Sequence, residues 1–64
     1  MMTRKHYRAI AEVLNAEYLS ATDNVVLNTI HRIARRLGAA LAEDNPRFDH
    51  QRFMEAVVTR PSDR

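Results

Sequence analysis

The longest regular pattern of hydrophobic positions in this chain lies between Asn24 and Glu43. Apolar residues recur there at alternating intervals of four and three, which is typical of one face of an α-helix. This seam consists of Val26, Ile30, Ile33, Leu37 and Ala40. Three more apolar residues widen it to an arc of roughly 140°, broader than a two-stranded coiled coil needs: Leu27, Ala34 and Leu41. The pattern predicts a helix over about 24–43 that contacts more than one neighbour.

A first helix is predicted over about 4–19, with Thr3 as its N-cap. One face of this helix carries the apolar residues Tyr7, Ile10, Ala11, Leu14 and Tyr18. In a single straight helix, this stripe and that of the next segment would differ in direction by about 150°. Residues 20–23 supply turn chemistry, and Thr22 or Asp23 can cap the following helix. A two-helix hairpin is therefore favoured over one long rod.

The segment 44–49 is the clearest break in the chain. Pro46 cannot continue a helix and excludes helical geometry at Asn45, and Asn45 can take the left-handed conformation that ends many helices. Gly38 could end the second helix earlier in the same way. However, four strong helix formers follow Gly38 and keep the apolar phase, so we predict that the helix continues to about Glu43. Gly38 would then allow another helix to approach closely.

A short third helix is predicted over about 50–59. Asp49 is a suitable N-cap for this helix. Phe48 precedes the cap and Phe53 occupies the fourth helical position, which is the spacing of a hydrophobic staple. We expect both rings to lie in the core.

Together these elements predict an all-α fold. It consists of an antiparallel helical hairpin, at about 4–19 and 24–43, with a short third helix at about 50–59. The chain forms a single small helical domain over 1–64, and 60–64 is predicted to be a frayed tail.

The small size of the chain raises the question of how it is stabilised. A domain of 64 residues buries only about 60% of the surface of its unfolded chain, and this one has no cysteine for a disulfide. Either the helices pack economically or the chain oligomerises. We predict a homodimer, and the candidate dimer seam is Val26, Ile30, Ile33 and Leu37.

The side of the second helix opposite the apolar arc is basic. It carries Arg32, Arg35 and Arg36, with His31 beside them, and no carboxylate lies three or four residues from any of the three arginines. Glu12, Glu17 or Glu55 could pair with them from another helix. Alternatively, a protein partner or an anion contacts them, which makes these four residues the candidate contact site. The net charge of +2 permits nucleic acid as a partner without requiring it.

Several classes of function lack support in the sequence. A single glycine and the absence of a Gly-x-Ser-x-Gly motif leave no phosphate loop or nucleophile elbow, so we expect neither an enzyme nor a small-molecule substrate. His6, His31 and His50 do not share one predicted helix face, and we expect no metal or other cofactor. No apolar run reaches the length of a membrane span, and Glu12 interrupts a possible signal peptide. We therefore expect a cytoplasmic protein.

Two segments, KHYRAIAEVL near the start and DNPRFDHQRF after the second helix, resemble a group of very short, mostly uncharacterised proteins encoded by actinobacterial bacteriophages. In that group, a His-Tyr pair near the start accompanies an Asn-Pro-Arg-Phe-Asp turn and a following Arg-Phe. The similarity covers about half the chain. It implies a phage accessory protein that acts in the host cytoplasm by binding a host component, and it carries over no catalytic or ligand-binding residue.

We therefore expect a small phage-type accessory protein that binds a host or phage protein and modulates it. The alternative is a small DNA- or RNA-binding regulator that uses the arginines of the second helix. As a helix-turn-helix the chain is unconvincing, because its first turn lacks glycine and its third helix is short and contains Glu55. A purely structural dimer is a third possibility.

Overall fold

The computed structural model describes residues 3–60, and these residues form three α-helices and no β-strand. The helices are α1 (Arg4–Ser20), α2 (Asn24–Asp44) and α3 (His50–Val58). They confirm the predicted all-α fold, in which α1 and α2 form the hairpin and α3 packs against both. Of the predicted tail at 60–64, only Arg60 belongs to the described residues.

The N-terminus of each helix is capped at the predicted position. Asp23 Oδ1 accepts a hydrogen bond from the Val25 amide at 2.7 Å, and Asp49 Oδ1 accepts one from the Arg52 amide at 3.0 Å. At α1, the Thr3 amide donates to Nδ1 of His6 at 3.0 Å. His6 thus takes the place that Glu or Gln occupies in most capping boxes. Because these hydrogen bonds join residues two or three positions apart, the starts of the helices could be predicted from the sequence.

Asn45 does not use the left-handed conformation that is open to it at a helix end. Asn45 ends α2 in an extended conformation, with φ −138° and ψ 107°. The reason is Pro46, whose ring pushes the preceding residue into the extended region. The turn is instead held by the Asn45 side chain, which accepts from the Arg47 amide through Oδ1 and donates to the Tyr7 hydroxyl through Nδ2, both at 3.0 Å.

The core lies where α3 crosses the hairpin. Its buried residues come from all three helices: Tyr7, Ala11, Ala34, Leu41, Phe53 and Val57. The small side chains of Ala11 and Ala34 allow the helices to approach closely, which is the economical packing that a short chain needs. Phe48 stacks edge-on against Tyr7, with ring centroids 4.7 Å apart, and lies 5.4 Å from Phe53. The predicted staple therefore extends the core to the turn.

The helix α2 continues through Gly38 without a left-handed residue, as predicted, and ends at Asp44. Gly38 itself is buried. The core contacts one side of the apolar arc of α2, the side of Ala34 and Leu41. The other side remains in solvent, with Val26 45% and Ile33 50% exposed.

The end of α3 is tied to α1 by a side chain that sequence reasoning did not single out. The Asn15 amide donates two hydrogen bonds, to the carbonyl oxygens of Val57 and Thr59, both at 2.8 Å. These carbonyls belong to the last turn of α3 and the residue that follows, where no helical donor is left. Asn15 therefore closes α3 at its C-terminus and joins it to α1.

Candidate functional site

The predicted arginine site lies on the exposed side of α2. Arg32, Arg35, Arg36 and His31 are all exposed. His31, Arg32 and Arg35 border a shallow depression whose lining comes from α2 alone: Val25, Asn28 and Thr29 complete it. Among residues 3–60 no second helix forms a wall, so this surface is open and can contact another macromolecule.

Possible counter-charges for these arginines were Glu12, Glu17 and Glu55. Within residues 3–60, no ion pair joins these carboxylates to the arginines of α2. Along α2 itself, the residues three and four positions away carry no negative charge either. The basic side of α2 therefore keeps its charge available for a partner.

The four residues of the candidate dimer seam divide between core and solvent. Ile30 is only 9% exposed and Leu37 packs against the core of its own chain. Val26 and Ile33 remain exposed. A second copy could therefore reach Val26 and Ile33 directly, whereas Ile30 is already covered. The dimer itself stays a prediction.

A second basic site, which sequence reasoning missed, lies in a cleft of about 490 Å³ between α1 and the segment 45–56. Its rim carries four arginines, Arg4 and Arg8 from α1 with Arg47 and Arg52 from the other side. Its remaining lining is aromatic, small or polar: Thr3, Tyr7, Ala11, Asn45, Phe48, Asp49, Phe53 and Ala56.

The spacing of Arg4 and Arg8, one turn apart on α1, was a weak signal for this cleft. Nothing local in the sequence, however, indicates that these residues meet Arg47 and Arg52, about forty positions later. Packing of α1 against α3 brings the two pairs to one opening.

The Tyr7 hydroxyl lies at the cleft and is the acceptor in its hydrogen bond with Asn45. Asn45 Oδ1 accepts from a backbone amide, so its Nδ2 must face Tyr7 and donate to the phenol oxygen. The phenol oxygen is therefore the acceptor in this bond. Its own proton has no acceptor within residues 3–60 and is available to a ligand.

Two other features were considered for the described part of the chain: a metal site and a membrane-spanning helix. Residues 3–60 contain no cluster of three potential metal-ligating side chains. In the same range, no helix combines the length and apolar character required to cross a membrane. No family model, curated protein or solved structure matches the chain.

Proposed function

We propose that this chain is a small phage-type accessory protein that binds a host or phage protein through the exposed side of α2 and thereby modulates it. The observation that carries the proposal is the combination of exposed Val26 and Ile33 with exposed Arg36, which lies about 60° from Ile33 around the same helix. The proposal places this activity in the cytoplasm of the host cell.

The chemistry of this surface defines the partner it suits. Ile33 is half exposed, and burying the exposed half of its side chain against a partner would contribute on the order of 1 kcal/mol to binding. Arg36 follows one turn later. Its planar guanidinium matches the two oxygens of a carboxylate better than the ammonium group of a lysine does. The expected partner surface is an apolar depression bordered by Asp or Glu. The apolar contact would supply affinity, while the rim charges would mainly set orientation and association rate.

A second copy of the chain is the other proposed occupant of this surface. A typical stable interface covers about 800 Å² on each partner, roughly a sixth of the 5116 Å² accessible here. Val26 and Ile33 supply only part of that area. The proposed dimer therefore requires neighbouring surface such as Ala40 and the exposed edge of Leu37.

Nucleic acid binding by Arg32, Arg35 and Arg36 is the alternative proposal. The absence of a nearby carboxylate on α2 supports it, because phosphates could supply the missing negative charge. In that case the logarithm of the binding constant would fall with the logarithm of salt concentration, with a slope of about −0.9 for each phosphate contacted on a duplex.

The test is an affinity pull-down of the tagged chain from actinobacterial lysate, with and without nuclease. Two variants address the surface: Arg32→Glu, Arg35→Glu, Arg36→Glu in one chain, and Ile33→Ser in another. A matched control, Lys5→Glu, Arg60→Glu, Arg64→Glu, changes the net charge equally but leaves α2 intact. Circular dichroism and thermal unfolding verify that all variants fold.

The proposal expects one stoichiometric protein that survives nuclease, disappears with both α2 variants and remains with the control. Recovery of nucleic acid by the wild type, with proteins that vanish after nuclease, would favour the alternative. A partner that binds both α2 variants normally would refute the assignment to α2.

A further inference from the structure

We propose that the cleft between α1 and segment 45–56 is a second binding site, separate from the α2 surface, and that it takes an acidic peptide segment with one apolar anchor residue. The cleft volume of about 490 Å³ is within the range of ligand sites in proteins, roughly 300–1,000 Å³. This inference is independent of whether α2 binds the partner proposed above.

The charge of the cleft selects an anion. Among residues 3–60, four arginines line it, and Asp49 is the one lining carboxylate. Asp49 Oδ1 already accepts the Arg52 amide as the cap of α3, so this carboxylate is occupied by a structural role. Arginine side chains present paired donors that match the two oxygens of a carboxylate. The remaining excess of positive charge is therefore available to an incoming acidic group.

The Tyr7 hydroxyl adds a directed donor to these charges. Because its oxygen accepts from Asn45 Nδ2, the phenol proton is left to donate to a ligand. The Asn45 side chain is itself held by the Arg47 amide, so the phenol oxygen is fixed before binding. A donor held in place in this way loses little entropy when it meets an acceptor.

The apolar part of the cleft suits one anchor side chain. Ala56 lines the recess with a small exposed side chain, and Phe48 provides a half-buried aromatic surface beside it. On α1 the lining runs from Thr3 to Ala11, about 12 Å at 1.5 Å per residue. That length accommodates three or four residues of an extended peptide. The cleft thus matches a short acidic segment with one hydrophobic residue.

A nucleic acid fits this cleft less well. Single-stranded nucleic acids bind through aromatic rings that offer an open face to successive bases. Here Tyr7 and Phe53 are 9% and 5% exposed, and Phe48 packs edge-on against Tyr7. The rings therefore form a floor instead of a stacking platform. The peptide is the ligand that uses both the charged rim and the apolar recess.

The experiment is an NMR titration of the ¹⁵N-labelled full chain with a capped heptapeptide that has six acidic residues around one central Phe. The control peptide replaces the acidic residues with Asn and Gln. A phosphate-backbone control is a single-stranded oligonucleotide of the same net charge. With the acidic peptide, we expect saturable amide shifts confined to residues 4–11 and 45–56, and none with the neutral peptide.

Four variants test the site itself. Arg8→Glu with Arg52→Glu is expected to weaken binding at least tenfold, while Arg32→Glu with Arg36→Glu, an equal charge change on α2, leaves it within about twofold. Ala56→Leu, which fills the recess without changing charge, is expected to weaken binding as well. Asp49→Asn keeps a capping side chain and removes the negative charge, so it is expected to raise the affinity severalfold.

The gain expected from Asp49→Asn cannot arise from unfolding, and therefore separates binding from stability. The inference is overturned if no saturable shift develops by about 1 mM peptide, a binding energy of only about 4 kcal/mol. It is also overturned if the α2 variant loses binding equally, or if the oligonucleotide binds the cleft more tightly than the peptide. The pull-down through α2 can succeed or fail independently of each result.

Discussion

The imidazole of His50 lies directly against Gly38. A Cβ atom added at Gly38 would come within 2.5 Å of His50 Cδ2, 2.6 Å of His50 Nε2 and 3.4 Å of Phe53 Cδ2. His50 is the first residue of α3 and is half-buried, and its Nε2 has no hydrogen-bond partner within residues 3–60. The start of α3 therefore rests on a position of α2 that has no side chain.

This contact predicts that Gly38→Ala destabilises the chain, although alanine is the better helix former. Forcing the His50 ring aside is an overpacking cost of about 1–3 kcal/mol, whereas removal of a helical glycine gains about 1 kcal/mol. We expect a net loss of about 1 kcal/mol, measured by urea unfolding followed by circular dichroism.

The control is a double-mutant cycle with His50→Ala. In the His50→Ala background the clash is absent, so Gly38→Ala should stabilise by up to about 1 kcal/mol. If Gly38→Ala stabilises the wild-type chain by the same amount, the His50 contact does not constrain α2.

Asn15 is predicted to be the polar residue whose loss costs most. Asn15→Ala removes both hydrogen bonds to the end of α3, and we expect a loss of about 1–3 kcal/mol because the carbonyl of Val57 becomes unpaired. Asn15→Asp should cost at least as much, since a carboxylate has no proton to donate. Asn28→Ala, at an exposed asparagine of α2, should stay within about 0.5 kcal/mol. Faster amide exchange confined to α3 in the Asn15 variants would locate the effect.

The division of the α2 seam predicts different effects for two isoleucines three residues apart. Ile30→Ala opens a cavity in the covered side and should cost about 2–4 kcal/mol. Ile33→Ala removes a half-exposed side chain and should cost less than about 1 kcal/mol. Chemical denaturation of both variants at low protein concentration gives the comparison. Equal losses at low protein concentration would mean that Ile33 is covered within its own chain.

The oligomeric state is tested directly by light scattering at micromolar and near-millimolar concentrations. The proposed homodimer predicts a dimeric mass that Val26→Glu with Ile33→Glu converts to a monomer without loss of helix content. A monomeric mass of the wild type at both concentrations would refute the dimer.

The helices could be placed from the sequence because their ends depend on local chemistry. Asp23 and Asp49 bond to amides two and three residues away, and Pro46 excludes helical geometry from its neighbour. Asn45 marks the limit of this reasoning. Its position at the end of α2 was expected, but its extended backbone follows from Pro46 rather than from the general preference of helix ends.

The candidate sites were only partly accessible to such reasoning. Periodicity located Arg32 and its neighbours on the polar side of α2, and the structure leaves them exposed. The same periodicity grouped Ile30 with Ile33, although one is buried and the other is not. The apolar arc spans roughly 140° of the α2 surface, and α1 and α3 cover only part of it. The hydrophobic pattern does not indicate which edge of the arc they leave exposed.

The three helices, their caps and the turn at Pro46 could be predicted from the amino-acid sequence, because they depend on interactions between residues a few positions apart. Three other relationships arise from helix packing: α3 rests on Gly38, Asn15 closes the end of α3, and Arg8 and Arg52 border one cleft. Each of these relationships joins residues from different helices. They depend on how the helices dock as rigid bodies, which the small residues at their crossings permit and no local spacing encodes.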